Sequence, residues 1–330
     1  MTASRTLLLP LRPRWVIMGR NLNHTMNTMT RRDFLKLSGA GATAGFGLCA
    51  TTPRALAIEP IQRSGPPKLR LSLAAYSFRE FFKDASHARK TQVEPAKQID
   101  MFQFVDYCAD QGCEGAELTS YYFPKDVTDD YLRRVKEYAA KRGVAVSGTS
   151  VGNTFTLPKG EKRDQQIADV KKWIDRAAVM GAPHIRVFAG SVQKGGTAAE
   201  ATRLCIEAME ECCDYAGKKR IYLGIENHGG IVAEPEGLLE IIRAVKSPWC
   251  GVNLDTGNFH SDDPYADLAK CAPYSVNVQV KVEIKRKGAK QNEPADLARI
   301  VKMLRNVNYQ GFVALEYEAK EDPYTAVPRL

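Results

Sequence analysis

The chain has 330 residues, 44% of them hydrophobic and 26% charged, proportions of an ordinary soluble globular protein with room for one large domain or two smaller ones. A formal charge of +9 suggests a polyanionic partner, but eight basic side chains and a single acid fall within residues 1–57, and the rest carries 39 basic against 37 acidic groups. A nearly neutral body leaves no electrostatic footprint for nucleic acid.

The N-terminal segment accounts for the excess. Residues 30–57, TRRDFLKLSGAGATAGFGLCATTPRALA, set Arg31 and Arg32 before Phe34-Leu35-Lys36, then run through a weakly apolar Gly/Ala-rich stretch to Ala55-Leu56-Ala57. This resembles a twin-arginine export signal with a small-residue cleavage site. It implies that 1–57 is a cleaved extension, that the twin-arginine translocation machinery is a partner, and that the destination is periplasmic or extracellular. Four glycines within 39–47 argue against a spanning helix, so no stable membrane anchor is expected. Residues 1–25 are unusual ahead of such a signal, and Met26 or Met29 offers a later start. The seven cysteines beyond it are odd in number, scattered over helical segments and without a CxxC pair, which argues against a disulfide framework or a cysteine zinc site.

Residues 58–68, rich in Pro and Gly, read as a linker. From Leu69 onward eight strand-like runs follow: 69–76, 114–118, 144–150, 184–190, 221–227, 249–255, 275–284 and 312–318. Between them lie runs with apolar residues three and four apart, at 98–112, 131–143, 166–181, 201–217, 234–246 and 294–307, which predict amphipathic helices. Gly112, Gly143, Gly181 and Gly217 read as left-handed caps ending four of them. Residues 69–330 therefore predict an α/β protein, a single (β/α)8 barrel close to the ~250 residues typical of that architecture. No G-x-G-x-x-G follows the first strand, which disfavours a dinucleotide-binding open sheet. The last helix is reduced, because the tail KEDPYTAVPRL is short and holds two prolines.

In such barrels chemistry gathers at the carboxyl ends of the strands. There the chain sets Glu226-Asn227-His228-Gly229-Gly230 on the fifth run, Asp255-Thr256-Gly257-Asn258 on the sixth, Gln279-Val280-Lys281 on the seventh and Glu316-Tyr317-Glu318 on the eighth. Converging carboxylates repel unless a cation compensates them, and an all-oxygen set favours Mg²⁺ or Mn²⁺ over Zn²⁺.

The stretches IENHGG, NLDTGNF, VQVK and LEYE, in order at the ends of consecutive strands, resemble the metal-bearing strands of the xylose isomerase-like TIM-barrel superfamily. That superfamily includes sugar epimerases related to tagatose 3-epimerase, inosose dehydratases and endonuclease IV. The resemblance covers about residues 69–320 and implies Glu226, Asp255, Gln279 and Glu316 as metal ligands, with Glu226 and Glu316 as the catalytic acid and base. It departs from the family at Gln279, where His is usual, and at Asn258, where epimerases often carry a substrate-binding His. His228, Lys281, Glu117, Asn258 and Arg186 are the expected substrate contacts, while His184 and His260 read as structural. Tyr76, Phe78 and 121–123 read equally as a pocket wall and as rim packing. The implied activity is a metal-dependent sugar or keto-sugar isomerase or epimerase working through an enediolate, with β-elimination on the same scaffold as runner-up. A carbohydrate-binding barrel that has lost catalysis is the non-enzymatic alternative. An endonuclease of the endonuclease IV type is disfavoured by the few histidines and the neutral body. Barrels of this family often pair, which makes self-association an expectation.

Overall fold

Residues 58–86 and 93–330 are described by the structure, a computed structural model, and the expected signal with Arg31 and Arg32 lies outside them. Ten strands run in chain order among the described residues: β1 (Lys68–Ala74), β2 (Gly115–Thr119), β3 (Ala145–Ser150), β4 (His184–Val187), β5 (Tyr222–Glu226), β6 (Cys250–Asp255), β7 (Ser275–Val280), β8 (Glu283–Ile284), β9 (Glu293–Pro294) and β10 (Gln310–Leu315). Eight of them close a parallel barrel in the order β1-β10-β7-β6-β5-β4-β3-β2, while β8 and β9 form a separate antiparallel ribbon. The expected eight-fold barrel is therefore present. The run at 275–284 is not one strand but two, since the barrel strand ends at Val280 and the chain turns into the ribbon.

Helices among the described residues are α1 (Met101–Asp110), α2 (Asp129–Lys141), α3 (Glu161–Met180), α4 (Ala198–Gly217), α5 (Pro235–Ala244), α6 (Pro264–Cys271), α7 (Leu297–Asn306) and α8 (Pro323–Ala326). Side chains start most of them. Asp100 and Gln103 form a capping box on α1, and Thr128, Thr197, Asp263 and Asp296 cap α2, α4, α6 and α7. Ile167, Val170, Ile174 and Ala177 show the packing rule: spaced three and four apart on α3, all four are buried between helix and sheet. No helix among the described residues is long and apolar enough to cross a membrane. The seven cysteines there are all buried and free. As expected, the closing helix is short, a single turn of α8 followed by a 3-10 turn. The outer face of β1 is left partly uncovered, with Leu71 52% exposed.

Two expectations need correction. Gly112, Gly143 and Gly181 do adopt positive φ after their helices, but Gly217 is the last residue of α4, and Arg220 takes the left-handed conformation instead. Glycine is required at 217 for a different reason, because a Cβ there would run into the Trp249 indole. The linker is also less free than its composition suggests. Ile58 and Ile61 donate backbone bonds to Arg243 and Pro273, and Arg63 donates to the Ser275 carbonyl, which pins 58–63 to the barrel.

Barrels of this kind usually fill their interior with branched apolar side chains. Here the interior is polar. Ser72 and Ser147 meet across it at 2.7 Å, and above them Glu117, Asn253, Asn277 and Gln279 form a fully buried layer. His184 packs so tightly on β3 that a Cβ on Gly148 would overlap its ring. Gly148→Ala should therefore cost roughly 1–3 kcal/mol by overpacking. Chemical denaturation measures it, and a wild-type midpoint in the variant would contradict this packing.

Candidate active site

Parallel pairing brings the carboxyl ends of β5, β6, β7 and β10 together at one mouth of the barrel. Glu226 ends β5, Asp255 ends β6, and Glu316 is the first residue beyond β10. All three are buried, as is Lys281, the first residue beyond β7. The Lys281 ammonium lies 2.6 Å from Glu316 Oε2 and 3.3 Å from Asp255 Oδ2, and it also contacts Glu318. Arg186, from β4, serves Glu226 in the same way. Its Nε sits 2.9 Å from Glu226 Oε2, an ion pair off the hydrogen-bonding line. Its Nη1 donates to Tyr121 Oη at 3.3 Å and to the Val151 carbonyl at 3.2 Å. Asn258 donates from Nδ2 to Glu226 Oε1 at 2.9 Å.

The turn after β6 is built around these contacts. Asp255 Oδ1 accepts from Gly257 N at 2.8 Å, while Asn227 holds the Asp255 backbone from both sides at 2.9 Å. Thr256 Oγ1 accepts from Lys281 N at 2.9 Å. Asp255 Oδ2 has no hydrogen bond, and the ammonium 3.3 Å away is its compensation.

Electrostatic environments differ across the mouth. Burial raises Asp255 well above the ordinary carboxylate range, against the pull of Lys281. Burial also raises Glu226, partly offset by Arg186. Glu316 goes the other way: burial, the largest influence, pushes it up, but Lys281 by charge and hydrogen bond, with Arg186 and Asp255, together hold it below its ordinary range. Lys281 itself stays charged, because Asp255, Glu316 and Glu318 together overcome its desolvation.

Gln279 sits one layer deeper. Its Nε2 donates to Glu117 Oε1 at 2.6 Å and its Oε1 accepts from Asn253 Nδ2 at 2.5 Å. Asn277 donates to Glu117 Oε2 and to Asn253 Oδ1, both at 2.8 Å. Glu117 is thus enclosed beneath the mouth and occupied by two amides, so the structure does not bring it to a substrate or to Lys281 as its sequence position suggested. Among the described residues, no group of three or more His, Cys, Asp or Glu is arranged to hold a metal ion. The arrangement does not fit a divalent cation: an ammonium stands between two of the expected carboxylate ligands, and both ends of the Gln279 amide are committed.

Substrate-sized space lies just outside. A cavity of about 250 Å³ is lined by Gly257, Asn258, His260, Lys281, Glu283 and Glu318 among others. A second, about 290 Å³, is bounded by His228, Gly229, Ala233, Glu234, Asn258 and His260. Exposed His228 stands over this second space, its ring 4.7 Å from that of Phe188. His260, read from sequence as a plain loop residue, borders both cavities. Phe78 and Tyr122 are buried in an aromatic cluster, Tyr122 stacked on Phe82 at 4.5 Å, so they pack rather than wall a pocket. Missed from sequence were Asn253, Asn277, Asn227 and Glu318. Asn253-x-Asp255 and Asn277-x-Gln279-x-Lys281 alternate with apolar residues, and that period of two was the available signal for the first pair.

Burial lifts Glu117 from 4.5 up to about 7 and lowers His184, 3.8 Å away, from 6.5 to about 4. The raised carboxyl contributes stability that is complete below pH 4.5 and lost as pH rises through 7, whereas the depressed imidazole contributes stability lost as pH falls from 6.5 through 4. Comparing Glu117→Gln with wild type isolates the first effect. The variant should gain roughly 3 kcal/mol relative to wild type between pH 4.5 and pH 8. Urea unfolding across that range reads it, and a pH-independent difference would contradict the assignment.

The profile of the family described as "Xylose isomerase-like TIM barrel" matches residues 105–329. No curated protein sequence matches the chain. Among solved structures, D-psicose 3-epimerase from Clostridium cellulolyticum, solved with D-tagatose, is similar at 14% identity and a TM-score of 0.60, over 74% of this chain and 84% of that one. The 3-keto-D-glucoside 4-epimerase YcjR from E. coli is similar at 14% identity and a TM-score of 0.61, over 79% and 97%. IolI, solved with a bound zinc atom, is similar at 16% and 0.60, over 75% and 88%.

Proposed function

Because the chain belongs to the xylose isomerase-like TIM barrel family, we propose that it is a sugar or keto-sugar isomerase or epimerase working by proton transfer next to a carbonyl. The observation that carries this reading is the pair Glu226 and Glu316, each buried at the barrel mouth beside its own cation. Their surroundings push them in opposite directions, Glu226 up and Glu316 down, which suits one to the acid role and the other to the base role. Glu316 removes a proton from the carbon, the C–H electrons move into an enediolate, and Glu226 returns a proton to the opposite face of that carbon or, once the hydroxyl proton has passed from one enediolate oxygen to the other, to the neighbouring carbon.

The oxygen that gains charge needs a donor. Lys281 supplies it, and of its three partners Glu318 has a side chain 36% exposed, against 7% for Glu316 and 0% for Asp255. A substrate oxygen therefore takes the place of Glu318 on the ammonium, where it meets a preorganised positive charge. Asn258, His228 and His260 border the space for the remaining hydroxyls. Where the next carbon carries a leaving group, the same abstraction ends in β-elimination, the runner-up reaction. The twin-arginine-like segment supports export, and with it a free or glycosidically linked sugar rather than a phosphorylated one.

Incubation with ketoses and 3-keto-glycosides in deuterated water tests the proposal. NMR should show deuterium entering at a carbon beside the carbonyl for at least one sugar. Glu226→Gln and Glu316→Gln should each slow this by about 10²–10⁴-fold. Binding of sugars without any exchange would instead mark a barrel that recognises carbohydrate and does no chemistry.

A further inference from the structure

We infer that this barrel carries its cation in the chain: the Lys281 ammonium occupies the place of a divalent metal, and Gln279 serves as a brace rather than a ligand. Four observations converge. The ammonium is lodged among Asp255, Glu316 and Glu318, the first two being residues that the family resemblance casts as metal ligands. A divalent ion entering there would meet a buried positive charge at contact distance.

The seat of Lys281 is also built for it. Thr256 Oγ1 fixes its backbone N–H at 2.9 Å, and Gly257 leaves room for its stem. A Cβ at 257 would come 2.6 Å from Lys281 Cγ and 2.9 Å from its Cβ, so the turn after β6 is cut to the shape of this lysine. Gln279, for its part, has both amide ends spent on Glu117 and Asn253, which ties β7 to β2 and β6 below the mouth. Arg186 completes the exchange by covering Glu226, the third expected carboxylate ligand. The carboxylates of the mouth thus face two side-chain cations, one from β4 and one just beyond β7, on either side of β5 and β6.

The inference concerns the resting site, and its test does not depend on which sugar is turned over or on whether any is. The full chain is stripped with chelator and titrated with MnCl₂ or MgCl₂ alone, by calorimetry and elemental analysis, beside the Gln279→His/Lys281→Met double variant. Wild type should show no saturable uptake below about 1 mM metal. The double variant, with an imidazole supplied and the ammonium removed, should bind Mn²⁺ at least about 100-fold more tightly. One equivalent bound to wild type at micromolar concentration, or equal affinity in the two proteins, would overturn the inference. Should the double variant fail to fold, thermal unfolding of wild type decides alone: a melting temperature that rises with micromolar Mn²⁺ overturns it, and one that does not move supports it.

Discussion

Buried like charge is the constraint around which this barrel is arranged. Glu226, Asp255 and Glu316 converge at one mouth with little solvent to screen them, a grouping that is untenable without compensation. Lys281 and Arg186 supply it, and other parts of the site follow from seating them. Gly257 is small because the Lys281 stem passes over it, and Thr256 is a hydroxyl because the Lys281 backbone needs an acceptor. Tyr121 and the Val151 carbonyl accept from the Arg186 guanidinium and hold it against Glu226.

Beneath the mouth, a second polar layer does for orientation what the first does for charge. Glu117, Asn253, Asn277 and Gln279 hydrogen-bond one another across β2, β6 and β7. An apolar filling would pack as densely but would not fix the roll of each strand. Gln279 and Asn253 each have a partner at both amide ends, and Asn277 donates twice from its Nδ2, so the orientation of each amide is set. That cross-linking ties β7, with the ammonium just beyond its end, to β2 and β6.

The eight barrel strands were legible in the sequence because each is a short apolar run bounded by glycine, proline or a polar turn, and the reduced last helix because two prolines interrupt it. Helix α6 was not. Eight residues opened by Pro264 offer only Tyr265, Leu268 and Cys271 as a periodic signal, too little to separate from a loop. At the site, Glu226, Asp255 and Glu316 could be placed from their positions at strand ends. The commitment of Gln279 could not, because its hydrogen bonds run to β2 and β6, far away in sequence, and no local pattern encodes a partner 162 residues distant. Gly217 misled for a similar reason: the Trp249 that demands a glycine there lies 32 residues on, in the turn just before β6.

The account rests on the mutual dependence of Lys281 and Glu316, and a double-mutant cycle reads that dependence most directly. Lys281→Met, Glu316→Gln and the pair together would be compared by urea unfolding near neutral pH. Lys281→Met alone should be strongly destabilising, because it strands buried carboxylates, and Glu316→Gln in the same molecule should recover much of the loss, leaving a coupling energy of about 1–3 kcal/mol. Effects that simply add, to within about 0.5 kcal/mol, would mean that the ammonium does not balance the mouth and that the central claim is wrong.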